Sequence, residues 1–197
     1  MKKFLNTTTD GFTLVEFIVI MSIFAIMVGV AVFNFTGFRS NVITENLAHD
    51  IAITLRNVQA GGGAAQSIDS PDNEQRRGIY FRPLSEPLRE MILFIDQDND
   101  GRYSEGETLD IIAIQSNDYI KNIGWTSLEG QDNKIDFEGI SSISDDLSIT
   151  FGRFSTAPYF SPPSESGDYL VITVGNDSDN SRNRYVVVSG LGQISVY

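Results

Sequence analysis

Gly11-Phe12-Thr13-Leu14-Val15-Glu16 opens an apolar run that continues to residue 35 with Glu16 as its one charge. Residues 12–35 number 24. As a helix rising about 1.5 Å per residue they cover roughly 36 Å, more than the roughly 30 Å of a bilayer's hydrocarbon core. Residues 1–11 form a short polar leader carrying Lys2 and Lys3. Basic residues ahead of an apolar span favour a cytoplasmic start, so the remainder of the chain is expected on the exported side. A secretory signal is cut after its apolar core, at small residues of the A-x-A kind. Here the span is followed by Asn34-Phe35-Thr36-Gly37-Phe38-Arg39, a poor match to such a site. A plain single-pass signal anchor is the alternative, and periodicity alone does not exclude it.

Glu16 separates the two readings. A carboxylate about one turn into a membrane helix costs on the order of 2.5–3.5 kcal/mol at the bilayer centre and less near its edge, so it needs a partner. Cleavage after Gly11 would give Phe12 a free ammonium and make Glu16 the fifth residue of the new chain. Glu16 would then pair with that ammonium or with a neighbouring subunit's. In a helical assembly the second pairing sets axial register, because a misplaced subunit leaves both charges unpaired in an apolar bundle.

The basic leader, Gly11, Phe12, Glu16 and the unbroken apolar run together resemble the type III signal of type IV pilins and type II secretion pseudopilins. The resemblance implies a prepilin peptidase that cuts after Gly11 and N-methylates Phe12, with Glu16 guiding assembly. It also implies as partners other pilin or pseudopilin subunits, met through the N-terminal helix, and the inner-membrane assembly machinery. The precursor is then a single-pass cytoplasmic-membrane (inner-membrane) protein with an exported head, later part of a pilus or pseudopilus fibre. Cleavage would remove two lysines and one aspartate, taking the formal charge from −12 to −13.

Beyond the span, Ile43, Leu47, Ile51, Leu55 and Val58 recur every three or four residues, with Ala48 and Ala52 beside them. The spacing predicts that residues 36–61 continue the helix in amphipathic form, its apolar stripe packed under the head. Gly29 and Gly37 are candidate bends, and Gly61-Gly62-Gly63 is expected to end the helix. Residues 64–77, polar and holding Pro71, read as a loop. Strands are expected at 78–81, 90–95, 109–115, 134–137, 147–151, 169–174, 185–189 and 193–197, from period-two alternation broken by Gly, Asn, Asp and Pro. The fold class is therefore α+β, a long N-terminal helix on an antiparallel β-sheet head spanning 78–197. Leu147-Ser148-Ile149-Thr150-Phe151 and Arg184-Tyr185-Val186-Val187-Val188-Ser189, followed by Gly192-Gln193-Ile194-Ser195-Val196, resemble the closing strands of GspH/FimT-type minor pilins and pseudopilins. That likeness implies the pilin fold.

Within the head, residues 96–107 read Asp-Gln-Asp-Asn-Asp-Gly-Arg-Tyr-Ser-Glu-Gly-Glu. They fit the calcium-loop pattern D-x-[DN]-x-[DN]-G-x5-E in full. Asp96, Asp98 and Asp100 would supply side-chain oxygens, Arg102 its carbonyl and Glu107 a bidentate carboxylate, with Ser104 acting through water. The flanks are β-branched and apolar, so one Ca2+ site between two strands is expected, not an EF-hand pair. Tyr103 also stands where EF-hands prefer a small aliphatic residue. The competing reading is a metal-free acidic turn, since Asp, Asn and Gly are ordinary turn residues. A second polar turn, 175–183, holds Asp177 and Asp179 without a spaced glutamate and reads as a hairpin loop.

Charge and composition narrow the remaining classes. The formal charge of −12 comes from 14 basic and 26 acidic residues, and such a surface repels phosphate backbones and anionic lipid. Arg182 and Arg184 are too few in that field to argue for a nucleic-acid partner. There is no cysteine, hence no disulfide, thiol catalysis or cysteine-ligated zinc, and His49 is the single histidine. No nucleophile-elbow pattern is present, and Asp145-Asp146 are too close in sequence for opposed acid and base roles. The expectation is a non-enzymatic structural subunit, a minor pilin or pseudopilin. The alternatives are an adhesive or DNA-uptake tip subunit, or a non-assembling membrane-anchored calcium-binding β domain.

Overall fold

The computed structural model describes residues 11–64, 76–83, 87–129, 134–152, 155–163, 169–176 and 182–197. Helix α1 runs without interruption through Leu14–Ala64. Among the described residues twelve strands follow in order: β1 Arg76–Phe81, β2 Glu90–Asp96, β3 Thr108–Ala113, β4 Tyr119–Thr126, β5 Leu128–Glu129, β6 Lys134–Ile135, β7 Ser141–Ser142, β8 Leu147–Phe151, β9 Pro158–Ser161, β10 Tyr169–Gly175, β11 Arg184–Ser189 and β12 Ile194–Val196. The α+β expectation holds in this form: an N-terminal apolar helix followed by antiparallel sheets.

The chain divides into two compact units, one reaching to Asn41 and one spanning Val42–Tyr197. The first holds the apolar segment Leu14–Val32, which is long and apolar enough to cross a membrane. Phe17, Ile20, Phe24, Met27 and Val30 are among its exposed side chains. The leader expected at residues 1–11 lies outside the described residues up to position 10.

The second unit contains the rest of α1 and two five-stranded sheets, ordered β3-β2-β1-β8-β9 and β12-β11-β10-β4-β7. The predicted stripe is the one that turns inward. Ala48, Ile51, Ala52 and Leu55 are fully buried, and Leu47 and Val58 nearly so. They join Ile79, Phe81, Ile149 and Phe151 from the first sheet and Ile123, Leu170, Ile172 and Val188 from the second in a single core. Alanine at positions 48 and 52 leaves room for those larger neighbours to reach the helix surface. Polar contacts also pin the helix. Arg56 Nη2 donates to the Ile194 carbonyl at 2.8 Å, and Gln59 Nε2 to the carbonyls of Thr156 at 2.7 Å and Gly192 at 2.9 Å. Buried Asp118 accepts from Thr44 Oγ1 at 2.5 Å and Asn176 Nδ2 at 2.8 Å, tying the start of this helical half to the head. His49 is exposed on the opposite side.

The structure departs from the sequence expectation in three places. Gly61-Gly62-Gly63 does not end the helix, which continues to Ala64. A Cβ on Gly62 would stand 2.4 Å from the Phe151 carbonyl oxygen, so glycine is there to let β8 approach the helix backbone. Second, β4 lies between β10 and β7 in its sheet, although its sequence suggested no strand. Lys121, Asn122 and Gly124 interrupt the alternation of Tyr-Ile-Lys-Asn-Ile-Gly-Trp-Thr, and the apolar residues among them are buried by pairing with β10. Third, short β5, β7 and β9 were not expected. Pro158 begins β9 at a sheet edge, where a missing N–H breaks no ladder. Most of the loop expected at 64–77, and the centre of the turn at 175–183, fall outside the described residues. Arg76 and Arg77 already belong to β1, and the strands flanking the second turn pair antiparallel.

β3 is the edge of the first sheet and is exposed along most of its length, with Leu109 and Ile111 each about half exposed. The ribbon β5–β6 runs on into Phe137, which stacks on Tyr185 at 4.2 Å between ring centroids.

Gly62 makes a sign-determined prediction. In a free helix, Gly→Ala stabilises by about 1 kcal/mol. Here the clash with Phe151 should reverse that, so Gly62→Ala should destabilise the head by about 1–3 kcal/mol in thermal or denaturant unfolding.

Candidate functional site

Two regions carry chemistry: the start of α1 and the loop between β2 and β3. At the first, Thr13 occupies the cap position before Leu14. Its backbone N–H and its hydroxyl both donate to Glu16 Oε2, at 3.1 and 3.0 Å, while Glu16 N–H donates to Thr13 Oγ1 at 3.2 Å. This is the reciprocal capping box of T-x-x-E, which satisfies N–H groups that a helix start leaves without intrahelical partners. The glutamate therefore has a partner inside its own chain, and the carboxylate stands at the helix's positive end. The capping role is legible in Thr13-Leu14-Val15-Glu16 itself, a T-x-x-E pattern at the head of an apolar run. Gly11 and Phe12 precede the cap in non-helical backbone, and Phe12 is exposed.

At the second region, β2 and β3 pair antiparallel, with a register shift between Leu93 and Phe94. Their connection brings Asp96, Asp98 and Glu107 together, one carboxylate oxygen from each lying within 4.8 Å of the others. Asp96 is fully buried and Glu107 nearly so, whereas Asp98 faces solvent. Left-handed backbone at Asn99 (φ 61°) and Gly101 (φ 79°) makes the tight turn. Gly101 is also constrained by space, because a Cβ there would stand 2.3 Å from the Tyr159 ring.

Backbone N–H groups orient the carboxylates. Gly101 N–H donates to Asp96 Oδ2 at 3.0 Å, and Asp100 N–H to Asp98 Oδ1 at 3.2 Å. Glu107 is held at both oxygens, by Gln97 N–H at 2.8 Å and Ser104 N–H at 2.9 Å. Asp96 Oδ1 is buried and has no hydrogen-bond partner. An orphaned carboxylate oxygen in a cluster of like charge is a feature that a bound cation resolves. Burial pushes the Asp96 carboxyl above the ordinary carboxylate range, the Gly101 N–H pulls it down, and the charge of nearby Glu107 adds to the rise. The donor set fits a hard divalent cation, which prefers carboxylate oxygen. This acidic triad can hold a metal ion.

The remaining sequence-predicted positions are placed differently. Asp100 is not in the triad, and its Oδ1 accepts from Arg102 N–H at 2.6 Å. The Arg102 side chain reaches away to Ser161 Oγ, with Nε at 2.8 Å. Ser104 contributes through its backbone, its carbonyl accepting from Glu107 N–H at 3.2 Å. Sequence reasoning also missed Asn99, whose side-chain oxygen is buried and without a partner, and the contacts that Tyr103 makes beyond the loop.

No family model, curated protein or solved structure matches this chain.

Thermal melts of the full chain in detergent, with and without a divalent cation, test the donor set. At a hundred times Kd the ion should add about 2.7 kcal/mol of stability. Asp96→Asn or Glu107→Gln should abolish the gain. Asp100→Asn, whose carboxylate serves the Arg102 backbone, should retain more of it.

Proposed function

We propose that the chain is a precursor cut after Gly11, and that the product beginning at Phe12 is a non-enzymatic structural subunit of a type IV pilus or type II secretion-like fibre. The observation that carries this reading is the helical segment Leu14–Val32, apolar and exposed along its length, opened by Gly11-Phe12 and holding Glu16 as its single charge. So much uncovered apolar surface calls for lipid or neighbouring helices. Such a helix can exchange one environment for the other with little change in its exposure to water, which is the step that fibre growth from a membrane requires. Glu16 would then leave its Thr13 cap, or share it, to meet the ammonium of Phe12 on a neighbour. The prepilin peptidase, further subunits and the inner-membrane assembly machinery are the partners this reading assigns.

The head's cation, in the same reading, is calcium at one site. The pattern of residues 96–107 is the one that serves calcium, whose six to eight oxygen ligands a flexible loop can supply. The Arg102 carbonyl and Ser104 through water are further donors that the loop pattern supplies, and Asp100 would join them only secondarily, since one of its oxygens serves the Arg102 N–H. On the exported side calcium would stiffen the head for as long as it is bound.

Mass spectrometry of the protein from native membranes, with and without prepilin peptidase, tests the main reading. The expected product begins at Phe12 and carries an N-terminal methyl group; an uncut chain beside active peptidase would sink it. Glu16→Ala should still be cut and inserted, yet be lost from sheared fibres.

A further inference from the structure

The loop that holds the acidic triad is also a bridge across its sheet. It leaves β2 and returns in β3, at one side of the order β3-β2-β1-β8-β9, yet its contacts reach the opposite edge. Tyr103 stacks on Tyr80 of β1 at 4.6 Å between ring centroids and meets Phe94 of β2 edge-on at 5.6 Å. Its backbone N–H donates to Ser148 Oγ of β8 at 3.1 Å. Arg102 Nε donates to Ser161 Oγ of β9, and Gly101 packs on Tyr159 of the same strand. The triad lies at the base of this bridge, with Asp96 and Glu107 at the two ends of the loop.

We propose that the loop is a cation-controlled strap, held across β1, β8 and β9 when a divalent ion occupies the triad and released when the ion leaves. This rests on the metal reading of Asp96, Asp98 and Glu107. Without an ion, like charges crowd the base, and Asp96 Oδ1 keeps a buried position with no partner. Both costs vanish if the base opens. With an ion, the two ends of the loop are drawn together, and the bridge is held where its contacts to Ser148 and Ser161 can form. Arg102 of the strap forms one wall of a polar cleft of about 200 Å³ that Asp145, Asp146, Ser148, Ser161 and Pro162 complete. The ion thus decides whether Arg102 closes that acidic cleft or leaves it to solvent, making this edge of the head a calcium-dependent surface.

The chain has no cysteine, so spin labels can be placed at will. Labels at Glu105→Cys and Asp145→Cys, both exposed in the native chain, report the strap in full-length protein in lipid nanodiscs. Pulsed-dipolar spectroscopy should give a narrow distance distribution in calcium that broadens and lengthens in chelator. Adding Ser148→Ala and Ser161→Ala should leave calcium binding by calorimetry nearly unchanged, while the distribution stays broad with the ion present. Calcium binding with an unchanged distribution would overturn the strap and leave the metal site standing. So would narrowing that persists without the two hydroxyls. Absence of any calcium binding would remove both.

Discussion

A helix that must satisfy two sheets at once is the constraint on which the head depends. Both five-stranded sheets present an apolar face to the same core, and the half of α1 beyond residue 42 contributes Ala48, Ile51, Ala52 and Leu55 to it with no residual exposure. The requirement explains the small side chains at 48 and 52. It also explains glycine at 62, where the backbone itself meets β8. Asp118 shows the polar counterpart: a buried carboxylate is tolerated because Thr44 and Asn176 donate to both of its oxygens.

What could be read in advance follows from how far each signal depends on local sequence. The stripe of α1 was legible because a 3.6-residue period and burial against one core are the same fact stated twice. The convergence of Asp96, Asp98 and Glu107 was legible in outline, since spacing fixes which carboxylates can meet. Its finer geometry was not. Asp100 turned to the backbone of Arg102, and the unpartnered oxygen of Asp96 arises from packing that no spacing encodes. β4 was hidden for a similar reason, because Lys121, Asn122 and Gly124 are acceptable in a strand only once β10 lies beside them. The three glycines marked the end of the helix to within a residue, but not the close approach to β8 that Gly62 serves from inside its last turn.

Glu16 shows how two levels of explanation can share one residue. As a capping-box acid it stabilises the first turn of its own helix; in the proposed fibre the same lone charge of an apolar segment would also meet a neighbour. The two roles draw on the same oxygen lone pairs, so each limits the other. Such a contact would have to compete with an interaction already made, which would weaken it while sparing an unassembled chain a bare charge on its apolar helix.

The bare rim at β3 has a consequence of a colloidal kind. Among the described residues no strand pairs with the outer side of β3, and its half-exposed Leu109 and Ile111, with only Asp110 as a charge between them, make that side a template onto which another strand can add. Mutual repulsion between copies carrying a formal charge of −12 opposes that encounter at a distance. Repulsion of this kind reaches about 10 Å at 0.1 M salt and about 3 Å at 1 M. With the apolar helix covered by detergent, the protein should therefore stay clearest at low ionic strength and grow turbid as salt rises, the reverse of salting in.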